Sequence, residues 1–336
     1  MKTNSRIMVE AHAKGDRYTV PGVETDNAVV IVNGRFRRVA SVLNEELVEG
    51  DSISDVRTVI QSMRDADLHA DILTFAERPP SLAQKYNARV AWENVAAVST
   101  KDYTEWEKKL VSSTARKAIN RAKREGVIVR EVEFSESLAR SIHAIYNESS
   151  VRQGKQFWHF GSDLMAVQHA MSDYLDRSVF LGAFLGTELI GFIKLTWVGS
   201  TGVITQIISM KRHFEKRPNN ALIAKAVEVC NRNGKAHLIY GSYVYYDPDS
   251  SLTEFKRRNG FAEMKYPRYY FPLTWKGKVL LALRMHRDVR EAMPRSLYRL
   301  LLRLRTAVIE GKVGVLSFMP QRRGDSLTSS NSTESV

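Results

Sequence analysis

Apolar residues along this chain recur with two different spacings, and the order of those spacings predicts a mixed α/β fold. Three short apolar runs, residues 179–185, 189–198 and 203–210, are separated by turns that contain glycine, which is typical of antiparallel strands. The spacing then becomes helical after Pro218-Asn219-Asn220, a good helix start, and Gly234 ends the helix. The apolar face of this predicted helix is formed by Leu222, Ile223, Ala226, Val227 and Cys230. A strand at 237–242 and a short helix at 252–259, closed by Gly260, complete the unit.

The first half of the chain shows a shorter succession of the same kind. Asn33-Gly34 joins two β-rich runs, 28–32 and 35–42, and this dipeptide is a strong hairpin signal. We expect about the first 16 residues, which are polar, to be frayed. The remaining pattern predicts a helix at 54–63, a strand at 70–75, a helix at 80–86, a strand at 94–99 and a long basic helix at 106–125.

A second unit is predicted to start near Val127. Residues 127–134 are strand-like, and residues 135–147 form a predicted helix that Ser135 caps. Another helix is predicted at 164–175, and the loop before it carries Trp158 and His159. This helix leads into the three apolar runs, so the second unit is a continuous α/β layer.

Composition indicates a cellular setting. A length of 336 residues with 43% hydrophobic content is enough for two domains with a sizeable core. Cys230 is the single cysteine, so no disulfide framework is possible and a reducing cytoplasmic setting is expected. The first residues lack an apolar signal core, and no apolar run approaches the ~20 residues that span a bilayer.

Charge indicates a class of partner. The net charge is +13, and the last 61 residues hold 12 Lys/Arg against 5 Asp/Glu. Residues 295–309 have an amphipathic pattern with leucines on one face and arginines on another, which fits either packing on the core or binding to an anionic membrane surface. From about residue 321 the tail is rich in Ser, Thr and Asn, and we expect it to be disordered. A soluble basic protein without a polyanionic partner remains an alternative.

Two segments carry a resemblance to a known family. Phe255-Lys256 followed by Gly260-Phe261, together with a proline just before the helix at 218, resembles the FemAB-like branch of the GNAT acyltransferase superfamily. The spacing of Arg116, Ile119, Ala122 and Gly126 is also similar to a segment of that branch. The resemblance covers roughly residues 94 to 275. It implies a GNAT-like α/β (α+β) fold, built as two GNAT-like halves with a basic helical C-terminal extension.

The resemblance divides the chain into segments. We expect a flexible N-terminus at 1–16, an abridged N-terminal GNAT-like half at 17–126 and a catalytic GNAT domain at 127–275. A basic amphipathic helical extension is expected at 276–320 and a disordered tail at 321–336.

The resemblance also implies a donor site. In the superfamily, the fourth strand splays from the fifth and its backbone pairs with the donor, while a glycine-rich loop binds the pyrophosphate of coenzyme A. The strand positions here are Gln206, Ile207, Ile208 and Ser209. The loop lacks those glycines, so side chains are expected to contribute more to anchoring. Its predicted donor-binding residues are Lys211, Arg212, Lys216, Arg217, Asn219, Asn220 and Ala221.

Three residues are candidates for the chemistry. Lys256 could stabilise negative charge on the leaving group or on the tetrahedral oxygen, Tyr245 could donate a proton, and His159 could act as a base. Each has a structural alternative: surface charge for Lys256, strand packing for Tyr245 and an exposed or structural histidine for His159. No Gly-x-Ser-x-Gly elbow, Walker loop, His-x-x-x-His or Cys-x-x-Cys pair is present, so no metal is expected.

The sequence therefore predicts an N-acyltransferase that uses acyl-CoA, with acetyl-CoA as the default, and a small amine acceptor, in cell-envelope or polysaccharide assembly. Two alternatives remain open. One is an aminoacyl-tRNA-dependent transferase of the FemAB type, which the glycine-poor loop and the basic charge favour. The other is a GNAT scaffold without activity that binds a membrane or a partner. A location at the inner face of the membrane is compatible with each, and the oligomeric state is left open.

Overall fold

A computed structural model describes residues 5–13, 16–51, 53–77, 83–152, 155–245 and 247–285. The strands are β1 Ile7–Ala13, β2 Asp16–Glu24, β3 Val29–Asn33, β4 Val39–Val42, β5 Ile72–Ala76, β6 Arg89–Ser99, β7 Val127–Val132, β8 Val151–Arg152, β9 Lys155–Gln156, β10 Ser178–Leu185, β11 Glu188–Val198, β12 Thr201–Ser209, β13 His237–Ile239 and β14 Ala262–Pro272. The helices are α1 Val56–Asp65, α2 Tyr103–Glu105, α3 Ser113–Arg124, α4 Glu136–Asn147, α5 Leu164–Ser172, α6 Pro218–Arg232, α7 Ser251–Arg258 and α8 Trp275–Ala282.

Twelve of these strands form one mixed sheet in the order β1-β2-β3-β4-β5-β14-β6-β13-β12-β11-β10-β7. The succession of antiparallel and parallel pairs is the same when the sheet is read inward from either edge. Three antiparallel pairs are followed by one parallel pair, β4 with β5 on one side and β12 with β13 on the other. The strand order thus contains the same six-strand arrangement twice, with the pair of β6 and β14 at its centre.

The two arrangements exchange their last strands at the centre of the sheet. β6, from the N-terminal half, lies between β13 and β14. β14, from the C-terminal half, lies between β5 and β6. The antiparallel pair that β6 and β14 form runs from Ala97 opposite Ala262 to Arg89 opposite Tyr270. Neither half therefore completes its sheet without a strand from the other.

Helices cover both faces of the C-terminal half. On one face α3 and α6 pack on Leu181, Ile193 and Leu195, and on the other α4 and α5 pack on Phe180 and Phe192. Because side chains alternate between the two faces of a strand, neighbouring residues of β11 pack in the two different hydrophobic cores. α6 approaches β12 closely at Gly202, where a Cβ atom would lie 2.7 Å from the Sγ atom of Cys230.

Several sequence predictions are wrong in detail. Residues 7–13 pair with β2 instead of fraying, and the strand predicted at 35–42 starts only at Val39. The helix predicted at 106–125 is interrupted, because Val111 is extended and Ser112 caps a new helix, α3. Residues 83–86, the described part of the helix predicted at 80–86, are not helical, and residues 78–82 lie outside the described residues. The segment 295–309 and the tail also lie outside them.

Candidate functional site

The parallel pair of β12 and β13 separates after three residues and leaves a wedge in the sheet. Thr201–Val203 pair with His237–Ile239. Beyond that point the chain follows β6, since the Tyr240 amide donates to Ala96 O at 2.9 Å and the Ala96 amide donates to Gly241 O at 2.8 Å. β12 meanwhile stays with β11 as far as Ser209. The expected splay is therefore present.

A bulge in β12 lies at the wedge. Lys194 of β11 is opposite Gln206 and Leu195 is opposite Ile204, so Thr205 is the extra residue. The Thr205 hydroxyl donates to Lys194 O at 3.1 Å. A bulge bends its strand and redirects its side chains, and this one brings Thr205 and Gln206 to the wall of the same cavity.

A basic cleft opens where α3, the start of α6 and α7 meet. Its volume is about 580 Å³. α6 follows β12, and α7 follows the wedge-bordering segment after β13. The start of α6 contacts the end of α7, where the Asn220 side-chain amide donates to Asn259 Oδ1 at 3.1 Å. Among the described residues, five cations line the cleft: Lys117, Arg121, Arg124, Arg217 and Arg258. Glu254 is the one carboxylate in the described part of its wall, and it already accepts hydrogen bonds from Arg257 and Arg258 at 2.5–2.7 Å. A multiply charged anion suits this charge distribution.

Arg217 sits at the junction of the loop and α6 in a left-handed conformation, with φ 59° and ψ 39°. That region is strained for any residue with a Cβ atom and is normally occupied by glycine. The loop thus keeps the backbone turn of a glycine without having one. Pro218 has no amide hydrogen, and the amides of Asn220 and Ala221 donate to Arg217 O at 3.1 and 3.4 Å. The start of α6 therefore has few amides left for an anion, and the cationic side chains supply the charge.

The other predicted phosphate-binding residues are placed differently. The Lys211 and Arg212 amides donate to the Glu148 carboxylate at 2.6 and 2.9 Å. Side-chain ion pairs join Arg212 to Glu188 and Lys216 to Glu125. Asn220 lines the basic cleft. Ala221 is buried in the core, and the buried Oδ1 atom of Asn219 has no hydrogen-bond partner.

The four predicted strand positions divide between the two faces of β12. Ile207 packs on the core of α3 and α6, and Ile208 packs on the core of α4 and α5. Ser209 is buried, its hydroxyl has no partner, and its carbonyl accepts a hydrogen bond from Arg152 at 2.6 Å. Gln206 lines a cavity on the side of α4 and α5. This alternation follows from the two-residue period of a strand.

Lys256 is fully buried on α7. Its ammonium donates to Ser242 O at 2.5 Å and lies 4.6 Å from the centre of the Tyr240 ring and 4.9 Å from that of Tyr245. Burial lowers the pKa of Lys256 to about 8, because a low-dielectric site disfavours the charged form. Near neutral pH this amine can therefore both give and take a proton. Desolvation also raises the pKa of the Tyr245 phenol, although this residue is 55% exposed.

A second cavity, the aromatic cleft, lies on the side of α4 and α5. Its volume is about 330 Å³. Its wall includes Tyr146, Trp158, His159, Tyr174, Lys194 and Gln206. The His159 ring lies 4.0 Å from the Tyr146 ring and 3.4 Å from the Trp158 ring, and its Nε2 atom lies 3.5 Å from Gln206 Nε2. Burial and the Arg152 charge lower the pKa of His159 to about 4. His159 is neutral near pH 7 and is a weak base.

Two residues of the aromatic cleft have properties that sequence reasoning missed. Lys194 is buried, and its ammonium donates to Met171 O at 3.0 Å and to Asp173 O at 2.6 Å, while burial lowers its pKa to about 8. Tyr146 is buried, and its hydroxyl has no hydrogen-bond partner in the described part of the chain. A signal for Lys194 was present, since it is the only charged residue inside the apolar run 189–198, and buried charges are costly unless they have a role.

The structure brings Lys256 together with Tyr245, and His159 together with Gln206, but it puts these two pairs in different places. Lys117, Arg121 and Arg124, which belong to the basic helix predicted at 106–125, line the basic cleft. Arg116 on the same helix instead donates to Lys108 O at 3.0 Å and to Val111 O at 3.1 Å. Among the described residues, no group of three or more His, Cys, Asp or Glu is placed to hold a metal ion.

Comparison with solved structures identifies the fold. The chain is similar to FemX, with a TM-score of 0.55 and 10% identity over 83% of this chain and 90% of that one. It is also similar to L-PGS from Bacillus licheniformis, with a TM-score of 0.52 and 15% identity over 77% and 85% of the chains. A third similar structure is a C-terminal DUF2156 domain from Agrobacterium fabrum, named as lysylphosphatidylglycerol synthetase, with a TM-score of 0.51 and 16% identity over 84% and 88%.

These similarities confirm the predicted GNAT-like fold of the FemAB-like kind. No protein-family model matches the sequence, and no curated protein matches it significantly. In the part of the chain that the structure describes, no helix is both long and apolar enough to cross a bilayer.

Proposed function

We propose that this protein is an acyltransferase that moves an acyl group from a phosphate-bearing donor to an amine. The observation that carries the proposal is the wedge between β12 and β13, together with a cleft of five described cations that is lined by α3 and by the two helices that follow these strands, α6 and α7. Open strand edges at the wedge can pair with an amide-containing donor arm, while the cations hold its phosphates. The fold agrees with this function, but it does not by itself identify the reaction.

The reaction needs no covalent enzyme intermediate. The acceptor amine attacks the donor carbonyl carbon and forms the new C–N bond, and the tetrahedral intermediate then loses the leaving group as the C–S or C–O bond breaks. The amine gives up one proton to solvent water, and the leaving group takes one. With a pKa of about 8, Lys256 can supply the second proton, and its charge can stabilise the tetrahedral oxygen. Tyr245, against the same ammonium, would orient that lysine.

Acyl-CoA is the first donor that we assign, with acetyl-CoA as the default. Its pyrophosphate suits Arg217, which lies at the start of α6, and Arg258, which lies at the end of α7, since both line the basic cleft. Its pantetheine amides suit the free edge of β12, where Gln206, Ile207, Ile208 and Ser209 follow the last residue paired with β13.

Aminoacyl-tRNA is the second candidate donor, and the arrangement of the cations favours it. A pyrophosphate-binding helix start normally offers several free amides, whereas α6 begins with a proline and has amides bonded to Arg217 O. Lys117, Arg121 and Arg124 extend the charge along α3, which suits a longer phosphate backbone. One of the similar structures is named as a lysylphosphatidylglycerol synthetase and another as L-PGS.

We place the acceptor in the aromatic cleft, because Thr205 and Gln206 of β12, the strand that borders the wedge, lie in the wall of that cavity. Its aromatic rings, together with Glu46 and Asp173 in its wall, suit a small amine such as an amino sugar or amino acid. Acceptors of this kind fit a role in cell-envelope or polysaccharide assembly.

A binding experiment separates the two donors. Calorimetry with acetyl-CoA, and filter binding with aminoacyl-tRNA, should be measured on the native protein and on Arg121→Ala and Arg217→Ala. Each variant should weaken binding of the true donor by about tenfold, the value of one charge-assisted contact to phosphate. Arg64→Ala is the matched control, because Arg64 is an exposed arginine at the end of α1.

Each result has a clear meaning. Binding of acetyl-CoA that both variants weaken supports the first donor. Binding of aminoacyl-tRNA without a response to coenzyme A replaces it with the second. If neither ligand binds and no acyl transfer occurs, the proposed activity is wrong and the scaffold alternative takes its place.

A further inference from the structure

α8 carries an apolar stripe that faces away from the protein. Gly277, Leu280 and Leu281 are buried, the two leucines against Ile72 and Tyr270. Trp275, Val279 and Leu283, spaced four residues apart, are 78%, 43% and 65% exposed. Residues four apart share one face of a helix. Contiguous exposed apolar side chains, unlike single ones, mark a surface that contacts a partner or a membrane.

The turn after β3 extends the same surface. Phe36 in this turn is 73% exposed, and the Lys276 ammonium lies 4.5 Å above its ring and donates to its carbonyl. Arg37 donates to the carbonyl of Met285, which is also exposed. These contacts join the turn and the helix into one surface. We define the α8 patch as Phe36, Trp275, Val279, Leu283 and Met285.

Cations surround the α8 patch. Arg37, Lys278 and Arg284 are exposed beside it, and Lys276 crosses it. The carboxylate nearest to Lys276, that of Asp71 at 3.4 Å, is buried and also bonded to the Arg38 amide and to Thr274. An apolar centre with a positive rim matches the boundary of an anionic bilayer, where aromatic and aliphatic groups enter the acyl region and cations meet phosphates.

The rest of the chain is a poorer occupant for this surface. Residues 286–336 hold nine Lys/Arg against five Asp/Glu, so their net charge has the same sign as the rim. Bringing two positive surfaces together costs free energy that an anionic partner would not require. The same argument disfavours a second copy of the chain, which would bring an identical basic rim.

We propose that the α8 patch docks this protein onto an anionic lipid surface. This docking goes beyond acyl transfer and does not depend on the identity of the donor. Trp275 and Phe36 would lie at the level of the headgroups, with Val279 and Leu283 below them. Lys278 and Arg284 would contact lipid phosphates. A transferase held in this way would meet its acceptor at the membrane surface.

Vesicle co-sedimentation of the full-length protein tests the docking. Binding to phosphatidylglycerol-containing vesicles should exceed binding to phosphatidylcholine vesicles and should fall as NaCl is raised. The double variant Trp275→Ala/Leu283→Ala should bind at least about tenfold more weakly, since two apolar side chains no longer enter the interface. Lys278→Glu/Arg284→Glu should weaken binding to anionic vesicles by a similar factor and leave binding to phosphatidylcholine vesicles unchanged. Trp92→Ala is the matched control, because Trp92 is a 58% exposed tryptophan on β6.

The experiment also has outcomes that overturn the proposal. If the Trp275→Ala/Leu283→Ala variant binds vesicles as well as the native protein does, membrane binding belongs to another part of the chain and the proposal is wrong. If the native protein does not bind vesicles and sedimentation shows that the variant has a different oligomeric state, the patch contacts a second copy of the chain and the proposal is wrong. Circular dichroism should be native for all the variants, because each replaced side chain is exposed.

Discussion

Lys256 combines full burial with a hydrogen bond to a carbonyl and contacts with two aromatic rings. At the scale of single residues this is the clearest sign of function in the molecule, because a buried ammonium is costly to keep. The sequence could place this lysine before Gly260-Phe261 by resemblance. It could not reveal burial, since the neighbouring Arg257 and Arg258 are exposed and all three have the same character in the sequence.

We predict that Lys256→Met changes how stability depends on pH. The pKa of about 8 in the folded state lies below the ordinary lysine value of 10.5, so the folded state resists protonation of Lys256. The buried Lys256 ammonium lowers the free energy of unfolding, and this loss is complete below pH 8 and disappears as the pH rises toward 10.5. Relative to the variant, the native protein should therefore gain about 2 kcal/mol in its free energy of unfolding between pH 7 and 10. Urea denaturation of the native protein and the variant at both pH values measures this. An equal difference between the two proteins at pH 7 and 10 would contradict the lowered pKa.

The same residue gives a prediction for activity. If the Lys256 ammonium is the proton donor, kcat should fall as pH rises through about 8, and Lys256→Met should lower kcat by about 100-fold or more. Lys256→Arg keeps the charge but does not release a proton near neutrality. Activity that Lys256→Arg restores without the fall above pH 8 would assign the residue to charge stabilisation alone. Full activity in Lys256→Met would remove it from the mechanism.

Tyr146 offers a test of the aromatic cleft. Its buried hydroxyl has no partner, so Tyr146→Phe should stabilise the protein without ligand by about 1 kcal/mol. If the hydroxyl is kept to bind the acceptor, the same variant should raise the acceptor KM and leave donor binding unchanged. Thermal unfolding and steady-state kinetics measure the two effects. A stabilised variant with an unchanged KM would give the hydroxyl no part in acceptor binding.

At the scale of elements, the loop between β12 and α6 shows how a missing sequence motif is replaced. Because the loop lacks glycines, the sequence predicts that side chains contribute more to donor binding. In the structure, Arg217 adopts the backbone conformation typical of glycine and lines the basic cleft. Backbone conformation and charge are thus combined in one residue. Local spacing could predict where the loop begins and ends, but it could not show which cation takes the left-handed turn.

Arg217→Gly and Arg217→Ala separate these two contributions. Glycine removes the strain of a φ of 59° and should stabilise the ligand-free protein by about 1 kcal/mol relative to alanine. Both variants lose the same positive charge, so both should weaken donor binding to a similar degree. Thermal unfolding and calorimetry of the pair test this. If glycine binds the donor as well as the native protein does, the turn and not the charge is what the donor needs.

At the scale of the whole molecule, most individual strands and helices could be predicted from periodicity, whereas their pairing could not. The run 94–99 was predicted as a strand of the first half, but its partners β13 and β14 belong to the second. Strand partners at such distances leave no local signal, because any apolar strand can pair with any other. The interruption near Val111 had a signal in Ser112, a good helix cap, but the continuous basic pattern outweighed it.

The exchanged strands predict that the two halves, divided near residue 126 as we propose, cannot fold separately. A fragment of residues 127–336 would lack β6, leaving the inner edges of β13 and β14 unpaired, and a fragment of residues 1–126 would lack β14 between β5 and β6. Unpaired edges in the centre of a sheet expose backbone groups and apolar side chains, which favours aggregation. The intact chain should therefore unfold in a single transition that circular dichroism and tryptophan fluorescence report at the same denaturant concentration. Each fragment should be unfolded or aggregated alone, and mixing the two should restore native circular dichroism. Two separate transitions in the intact chain, or a folded and monomeric 127–336 fragment, would show that the exchange is not required for either half.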